Sequence, residues 1–349
     1  MHVIITGGAG FIGSHLTREL LSRGYKVSII DNMSTGSRRN LRDISANPNL
    51  TIVNSSISEK FVLDRLASTA DMIIHLAAAV GVKLIMDKPT ESILTNVVGT
   101  YNVLESAARY GCRTLVASTS EVYGKSLDIP YREDGDSTLG TTMNHRWSYA
   151  ASKMIDEFLA LGASRAHDIE TIITRFFNVV GPGQVGTFGM VIPRFVNQAL
   201  NNEPITIYDD GSQIRCFSHV LDVIDAMVQL IEAEDLPHAE IFNLGNNEEI
   251  TILELAKLVL EVTESESKII FVPYGEAYNP GFEDMVKRVP DISKIKKTIG
   301  WQATRGVRQI IEDVVEYERR AQAAQDLPAA EGEASSVGVN GRQASFIPV

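Results

Sequence analysis

The chain has 349 residues, 44% hydrophobic and 22% charged, the composition of an ordinary globular protein, so wholesale disorder is excluded. Its 32 basic and 44 acidic side chains leave a formal charge of −12, which argues against a nucleic-acid partner, since a phosphate backbone demands positive surface. A local pocket can still oppose that charge and hold a small anion.

At roughly 100–200 residues per domain, the length predicts two lobes. The first half alternates short β-rich runs with helical stretches. Val3–Ile5, Lys26–Ile30, Thr51–Val53, Met72–Leu76 and Thr114–Ala117 are β-branched and apolar on both faces, as parallel strands covered by helices should be. Phe11–Leu21 and Asn102–Ala108 carry apolar residues at helical spacing. This rhythm predicts right-handed βαβ units and a Rossmann-type, doubly wound parallel sheet of the α/β class. The first lobe is expected over residues 1–178, with about 214–250 returning to it through a late strand at Ile241–Leu244. A smaller, discontinuous α+β lobe is expected over 179–320, including a helix at Thr251–Val262 whose Thr251 and Glu254 read as a capping box. Residues 321–349 are rich in Ala, Gly, Ser and Gln and read as a mobile tail. Cys112 and Cys216 are too few for a disulfide framework or a metal cage and suit a reducing compartment. No apolar run approaches the ~18 residues that cross a bilayer, and the N-terminus has no signal-peptide pattern. The expectation is a soluble, cytoplasmic protein with no membrane partner.

Thr6-Gly7-Gly8-Ala9-Gly10-Phe11-Ile12-Gly13 follows the first strand and opens the first helix. A pyrophosphate needs backbone N–H groups at close range and a helix N-terminus behind them. Gly7 and Gly10 permit the tight turn and close approach, and Gly13 lets the helix pack. Asp31 ends the second strand 18 residues past Gly13, where a carboxylate binds ribose hydroxyls and repels a 2′-phosphate, which favours NAD over NADP. Arg38 and Arg39 read as a solvated loop.

Tyr149 and Lys153 stand four apart at the start of a helix running towards Arg165, so phenol and ammonium share one face. A free tyrosine ionises near pH ~10. The Lys153 cation and a bound nicotinamide cation are both expected to lower that value and make Tyr149 a base. Upstream, Ser118-Thr119-Ser120-Glu121-Val122-Tyr123-Gly124 ends a strand at the carboxyl edge where open α/β sheets bind ligands.

These residues resemble the extended short-chain dehydrogenase/reductase family, in its nucleotide-sugar epimerase, dehydratase and decarboxylase branch. The resemblance spans residues 1 to about 318. It also includes His75-Leu76-Ala77-Ala78, Asn96, Arg175-Phe176-Phe177-Asn178, Arg215–Asp222, Asn243-Leu244-Gly245 and Arg288-Val289-Pro290-Asp291. It implies NAD as cofactor, held by Gly7, Gly10, Phe11, Ile12, Gly13, Asp31, Asn32, Ser56, Ile57, Leu76, Ala77, Ala78, Asn96, Tyr149 and Lys153. It implies Thr119, Tyr149 and Lys153 as the catalytic trio, with Ser120 and Glu121 beside the reacting sugar carbon. Lys83, Val191 and Arg194 are expected near a UDP-sugar substrate. Asn178, Arg215 and Arg288 are expected on its phosphates, and Tyr208 on its base. Homodimers built through the Tyr149 helix and the helix before it are common in the family. One departure is Ser56, where the family commonly has an aspartate for the adenine amino group.

The resemblance implies a shared first step, in which Tyr149 takes the proton of the sugar 4-hydroxyl and NAD oxidises C4 to a bound 4-ketose. Ser120 stands where dehydratases carry an aspartate, which demotes dehydration. Thr119-Ser120-Glu121 and Arg288 match UDP-glucuronate decarboxylases, whereas the loop at Ala77–Val82 resembles the epimerases. The expectation is a UDP-glucose or UDP-glucuronate 4-epimerase, with a UDP-glucuronate decarboxylase as the alternative. A non-catalytic NAD sensor is disfavoured because the Tyr–Lys pair is kept.

Overall fold

The computed structural model describes residues 1–81, 87–186, 190–273, 275, 285 and 287–325. Seven strands form its central sheet: β1 (His2–Thr6), β2 (Lys26–Asp31), β3 (Leu50–Asn54), β4 (Met72–His75), β5 (Arg113–Thr119), β6 (Thr171–Phe176) and β11 (Ala239–Leu244). Their order is β11-β6-β5-β4-β1-β2-β3, and every neighbouring pair is parallel. The chain turns from one half of the sheet to the other between β1 and β4, which opens a crevice at the strands' carboxyl ends.

Alternation along each strand explains the unbroken apolar runs. Val3, Ile5, Ile29 and Ile74 enter one core, while Ile4, Ile30 and Ile73 enter another on the opposite face. Helix α1 (Phe11–Ser22) closes the first side together with α6 (Val220–Glu232); α2 (Lys60–Ala67), α3 (Pro89–Tyr110) and α4 (Ser148–His167) serve the rest of the sheet. Each such buried side chain gains about 1.5–3 kcal/mol over exposure, against the chain entropy lost in ordering it.

Helix α3 is longer than its apolar spacing predicts. Its first half buries Ser92, Asn96, Gly99 and Thr100, while Ile93, Leu94, Val98 and Tyr101 face outward. The inner face is polar and the outer apolar, so periodicity points the wrong way until about Val103.

A second core gathers α5 (Val191–Leu200), α7 (Ile252–Thr263) and α9 (Val307–Gln325) around β8 (Ile205–Tyr208) and β13 (Ile269–Val272). Phe195, Ile207, Leu255, Val259 and Ile311 are buried there. The capping box at the start of α7 is present in both directions, between Thr251 and Glu254. A small sheet of β12 (Glu249–Thr251), β9 (Ile214–Cys216) and β14 (Lys287–Arg288) lies beside it. The chain returning to the large sheet includes β10 (Ser218–His219), which pairs with β7 (Val179–Val180), then α6 and β11, and Ile295 of α8 (Ser293–Ile299) joins the first core with Trp301. Helix α9 runs to Gln325, so the tail expected from 321 begins inside a helix; residues 326–349 lie outside the described residues. Among the described residues no helix is long and apolar enough to cross a membrane.

Candidate functional site

Two groups of side chains meet at the carboxyl edge of the sheet. The first is built on the turn from β1 into α1. Gly7 has φ +72, and a Cβ there would lie 2.8 Å from the Ala77 amide nitrogen. Only glycine combines that left-handed conformation with so close a neighbour. A Cβ on Gly13 would run into the Gly7 carbonyl, so Gly13 closes the helix onto the loop rather than onto the sheet. Gly10 caps α1 with no side-chain bond, and the first-turn amides of Phe11 and Ile12 have no carbonyl partner within the helix. The Asp31 carboxylate, buried at the end of β2, accepts from Ala9 N at 2.9 Å and Met33 N at 2.8 Å. It has lone pairs left for further donors.

Beneath the loop, Thr6 Oγ1 contacts His75 Nδ1 at 2.7 Å, and His75 Nε2 contacts Thr100 Oγ1 at 2.9 Å. Burial first, then the charge of Lys153, holds His75 neutral with a pKa of about 3. Asn96 reaches from α3 to fix the loop after Leu76, Ala77 and Ala78: its Oδ1 accepts from Ala79 N at 2.8 Å, and its Nδ2 donates to Ser152 Oγ at 3.1 Å. Asn32 is exposed and accepts from its neighbour Ser34 N. Ser56 Oγ accepts from Ser58 N and Ser58 Oγ, and Ile57 is buried against α3. Arg38 and Arg39 are exposed. An uncapped helix end, a turn that a Cβ would fill and a buried carboxylate one strand away fit a dinucleotide. Gly7 through Gly13 would face its pyrophosphate and Asp31 its ribose.

The second group lies at the end of β5. Thr119 caps a short turn, Ser120–Tyr123, by accepting from Glu121 N at 3.2 Å. Tyr149 lies in the first turn of α4 beside the Thr119 hydroxyl, which favours the ionised phenol. Glu121 is clasped by two buried arginines, Arg288 at 2.6 Å and Arg146 at 2.5 Å. Arg288 also reaches the buried Ser120 hydroxyl at 3.4 Å. Burial alone would raise the Glu121 carboxyl, but Arg288 and Arg146 outweigh it and hold the pKa at about 2. Below, Arg175 pairs with Glu157 at 2.7 Å and Ser118 donates to the same carboxylate, tying α4 to β5 and β6.

The expected lowering of the Tyr149 pKa is opposed: burial, then the charges of Glu121 and Asp156, push it above its ordinary value, and Lys153 Nζ is bonded to Asp156 at 2.7 Å. The Arg288 guanidinium is paired with Glu121. Arg215 is its register partner in the small sheet and is buried beside it. The Asn178 side chain donates to the Cys216 carbonyl at 2.8 Å, and Arg194 lies over the Tyr208 ring at 4.3 Å, so one face of that ring is already covered. Val191 begins α5, partly buried. Lys83 lies outside the described residues. Sequence reasoning missed Arg146 and Asp156; Asp156 stands three residues from Lys153 on one helix, and that offset was the available signal, whereas Arg146 meets Glu121 only through the fold. Among the described residues no group of His, Cys, Asp and Glu could hold a metal.

The sequence profile of the NAD dependent epimerase/dehydratase family matches residues 3–245. A UDP-N-acetyl-alpha-D-glucosaminuronate decarboxylase of Bacillus cytotoxicus is 38% identical, over 90% of this chain and 97% of its own length. The UDP-glucose 4-epimerase of Thermotoga maritima, solved with UDP-glucose, superposes with a TM-score of 0.83 at 28% identity, over 92% of this chain and all of that one. The UDP-glucuronic acid 4-epimerase of Bacillus cereus, solved with UDP-glucuronic acid and NAD, does so with a TM-score of 0.83 at 26% identity and the same coverage. With its glycine loop, Asp31 and Tyr149–Lys153 helix on a Rossmann sheet, the chain belongs to the NAD-dependent epimerase/dehydratase family, in the nucleotide-sugar branch of the extended short-chain dehydrogenases/reductases.

Proposed function

We propose that this protein is a UDP-hexuronate decarboxylase that oxidises C4 of its sugar, and that the Glu121 clasp is the observation that carries this reading. When bound, NAD supplies the acceptor, and later the donor, of the hydrogen on C4. Tyr149 takes the 4-hydroxyl proton, with the Thr119 hydroxyl beside it as a second donor to the sugar oxygen. A uronic acid ketonised at C4 is a β-keto acid. Its C5–C6 bond breaks, the bonding pair passes into the C5–C4–O4 enolate, carbon dioxide leaves, and C5 then takes a proton. Tyr149 and Ser120 offer O–H donors to the enolate oxygen.

Glu121 stays ionised beside Tyr149. A fixed carboxylate next to the substrate's own carboxylate disfavours negative charge at C6 and so favours its loss as carbon dioxide, the charge passing to O4 of the enolate. Arg146 and Arg288 keep the surroundings cationic enough to admit the anionic sugar. A UDP-hexose offers no carboxylate for this cluster to act on. The identity to the Bacillus cytotoxicus decarboxylase, over nearly its full length, supports the same reading.

The 4-epimerase expected from the sequence is the second reading, favoured by the likeness to the Bacillus cereus epimerase and by the Ala77–Gly81 loop. Incubation with UDP-glucuronate, UDP-N-acetylglucosaminuronate and UDP-glucose separates the two. A product lighter by one carbon dioxide from either uronate supports decarboxylation. A new isomer of unchanged mass supports epimerisation, and no turnover of any UDP-sugar defeats both. The outward face of α3 and α4, with Leu94, Val98, Tyr101 and Phe158 between 45% and 70% exposed, is proposed as the homodimer surface. Analytical ultracentrifugation of a Phe158→Lys variant tests this, with a monomer expected.

A further inference from the structure

Asp156 lies three residues beyond Lys153 on α4 and is 0% exposed. Its Oδ2 accepts from Lys153 Nζ at 2.7 Å, while its Oδ1 has no hydrogen-bond partner among the described residues. A buried carboxylate with one orphan oxygen is costly. Its neighbour Glu157 has an evident structural use, since the bidentate Arg175 pair and Ser118 tie α4 to two strands. The Asp156 pair ties nothing across the fold. It runs within one helix, and its partner is the lysine paired with Tyr149.

We propose that Asp156 is a positioning residue, the built-in counter-ion that fixes the Lys153 ammonium and balances its charge beside Tyr149. This rests on the functional reading above only in taking Lys153 and Tyr149 to work at the cofactor and sugar. The ammonium has three N–H donors; Asp156 takes one and thereby aims the other two. The charged groups near the pair come from the elements packed against α4, among them β6, whose Arg175 is paired with Glu157. Thr119 and the ionised Glu121 follow from β5, Arg146 from the turn before α4, Arg288 from β14, and neutral His75 from β4. Helix α3 contributes uncharged Asn96 and Thr100, its own charges Glu91, Glu105 and Arg109 being paired with Lys88, Lys60 and Asp64. The two carboxylates that act on Tyr149 are each paired, Glu121 with Arg146 and Arg288 and Asp156 with Lys153.

The Asp156 charge is one of the influences raising the Tyr149 pKa. Removing it deletes that influence and leaves the Lys153 ammonium unbalanced on the same helix face; both lower the value. In Asp156→Asn, the acid limb of the pH–rate profile is therefore expected about one unit lower than in the wild type. Asp156→Glu is expected to restore it. The profile is taken on whichever UDP-sugar the protein turns over, so it does not depend on release of carbon dioxide. An unmoved limb with only a reduced rate makes Asp156 merely structural and overturns the proposal.

A second reading needs no turnover. The extra net positive charge in Asp156→Asn is expected to shift binding preference, in fluorescence titrations, several-fold from NAD towards the more negative NADH. An unchanged NAD:NADH ratio overturns the proposal even if no sugar is turned over, in which case the functional reading has failed separately. Asp156→Ser, which leaves room for a water beside the ammonium, serves in both measurements if the Asn protein does not fold.

Discussion

The two halves of the crevice are made by opposite means. The cofactor half is a matter of backbone: Gly7, Gly13 and the uncapped start of α1 offer amides and the absence of side chains, within a dozen consecutive residues. The sugar half is a matter of charge. Glu121, Arg146 and Arg288 arrive from three separate segments, the last 167 residues from the first. Backbone cradles tolerate no Cβ yet are indifferent to pH. Charge clusters tolerate changes of shape but respond to every gained or lost proton. Substitutions in one half are therefore expected to leave the other half's readout intact.

The largest separation is expected from Tyr149→Phe. Loss of the proton-transferring phenol should cost about 10²–10⁴-fold in turnover of any UDP-sugar, a larger factor than the accompanying change in NAD binding by titration. Retained turnover in a folded variant would remove Tyr149 from the chemistry. Next comes Glu121→Gln, which keeps the shape and removes the charge. If its field drives bond cleavage, release of carbon dioxide should fall about 10²–10³-fold, with oxidation at C4, followed as NADH absorbance, reduced less. Equal losses in both steps would make Glu121 a clamp for the sugar and nothing more.

The Glu121 clasp also carries a pH signature. Its carboxyl ordinarily titrates at 4.5 and is held at about 2 in the fold. The folded-state value is the lower one, so the clasp stabilises fully above about 4.5 and the contribution is lost as pH falls towards 2. Melting temperatures of the wild type and Glu121→Gln should differ near neutrality and converge across that window. The acid limb of activity at higher pH then belongs to Tyr149. On the cofactor side, Gly7→Ala imposes a left-handed φ on a residue with a Cβ, about 1–2 kcal/mol before any clash with the Ala77 backbone. NAD affinity is expected to fall roughly tenfold or more, with no change in the acid convergence of the melting curves.

The same contrast decides what could be read from the amino acids alone. Local rules sufficed where one stretch of chain does the work: the β1–α1 glycine turn, Asp31 at a strand end, the Thr251–Glu254 capping box. They failed for the first half of α3, whose Ser92, Asn96 and Thr100 turn inward and whose Leu94 and Val98 turn outward, against the usual sign of amphipathicity. They failed again for Lys153, where spacing placed the ammonium beside Tyr149 but gave no weight to an acid three residues on. Arg146 went unnoticed for a related reason. A single basic residue gains meaning only when folding brings Glu121 and Arg288 against it, and no periodicity encodes that meeting.

The smallest expected effect falls on the cofactor side, at Ser56. Its hydroxyl already closes a short turn by accepting from Ser58 N at 3.2 Å and Ser58 Oγ at 2.9 Å, so an acceptor at this position is built into the loop after β3. An aspartate keeps the turn, since one carboxylate oxygen can take the Ser58 amide as an Asx turn does. Its second oxygen is then free for a donor such as the adenine amino group. One added hydrogen bond contributes about 0.5–1.5 kcal/mol, so Ser56→Asp is expected to tighten NAD binding by a few-fold up to about tenfold. The sugar half should not register the change: the pH–rate limb and the ratio of carbon dioxide release to C4 oxidation should stay where the wild type has them. A Ser56→Asp protein that bound NAD no better, or whose limb moved, would show that the two halves of the crevice are coupled more tightly than their separate construction implies.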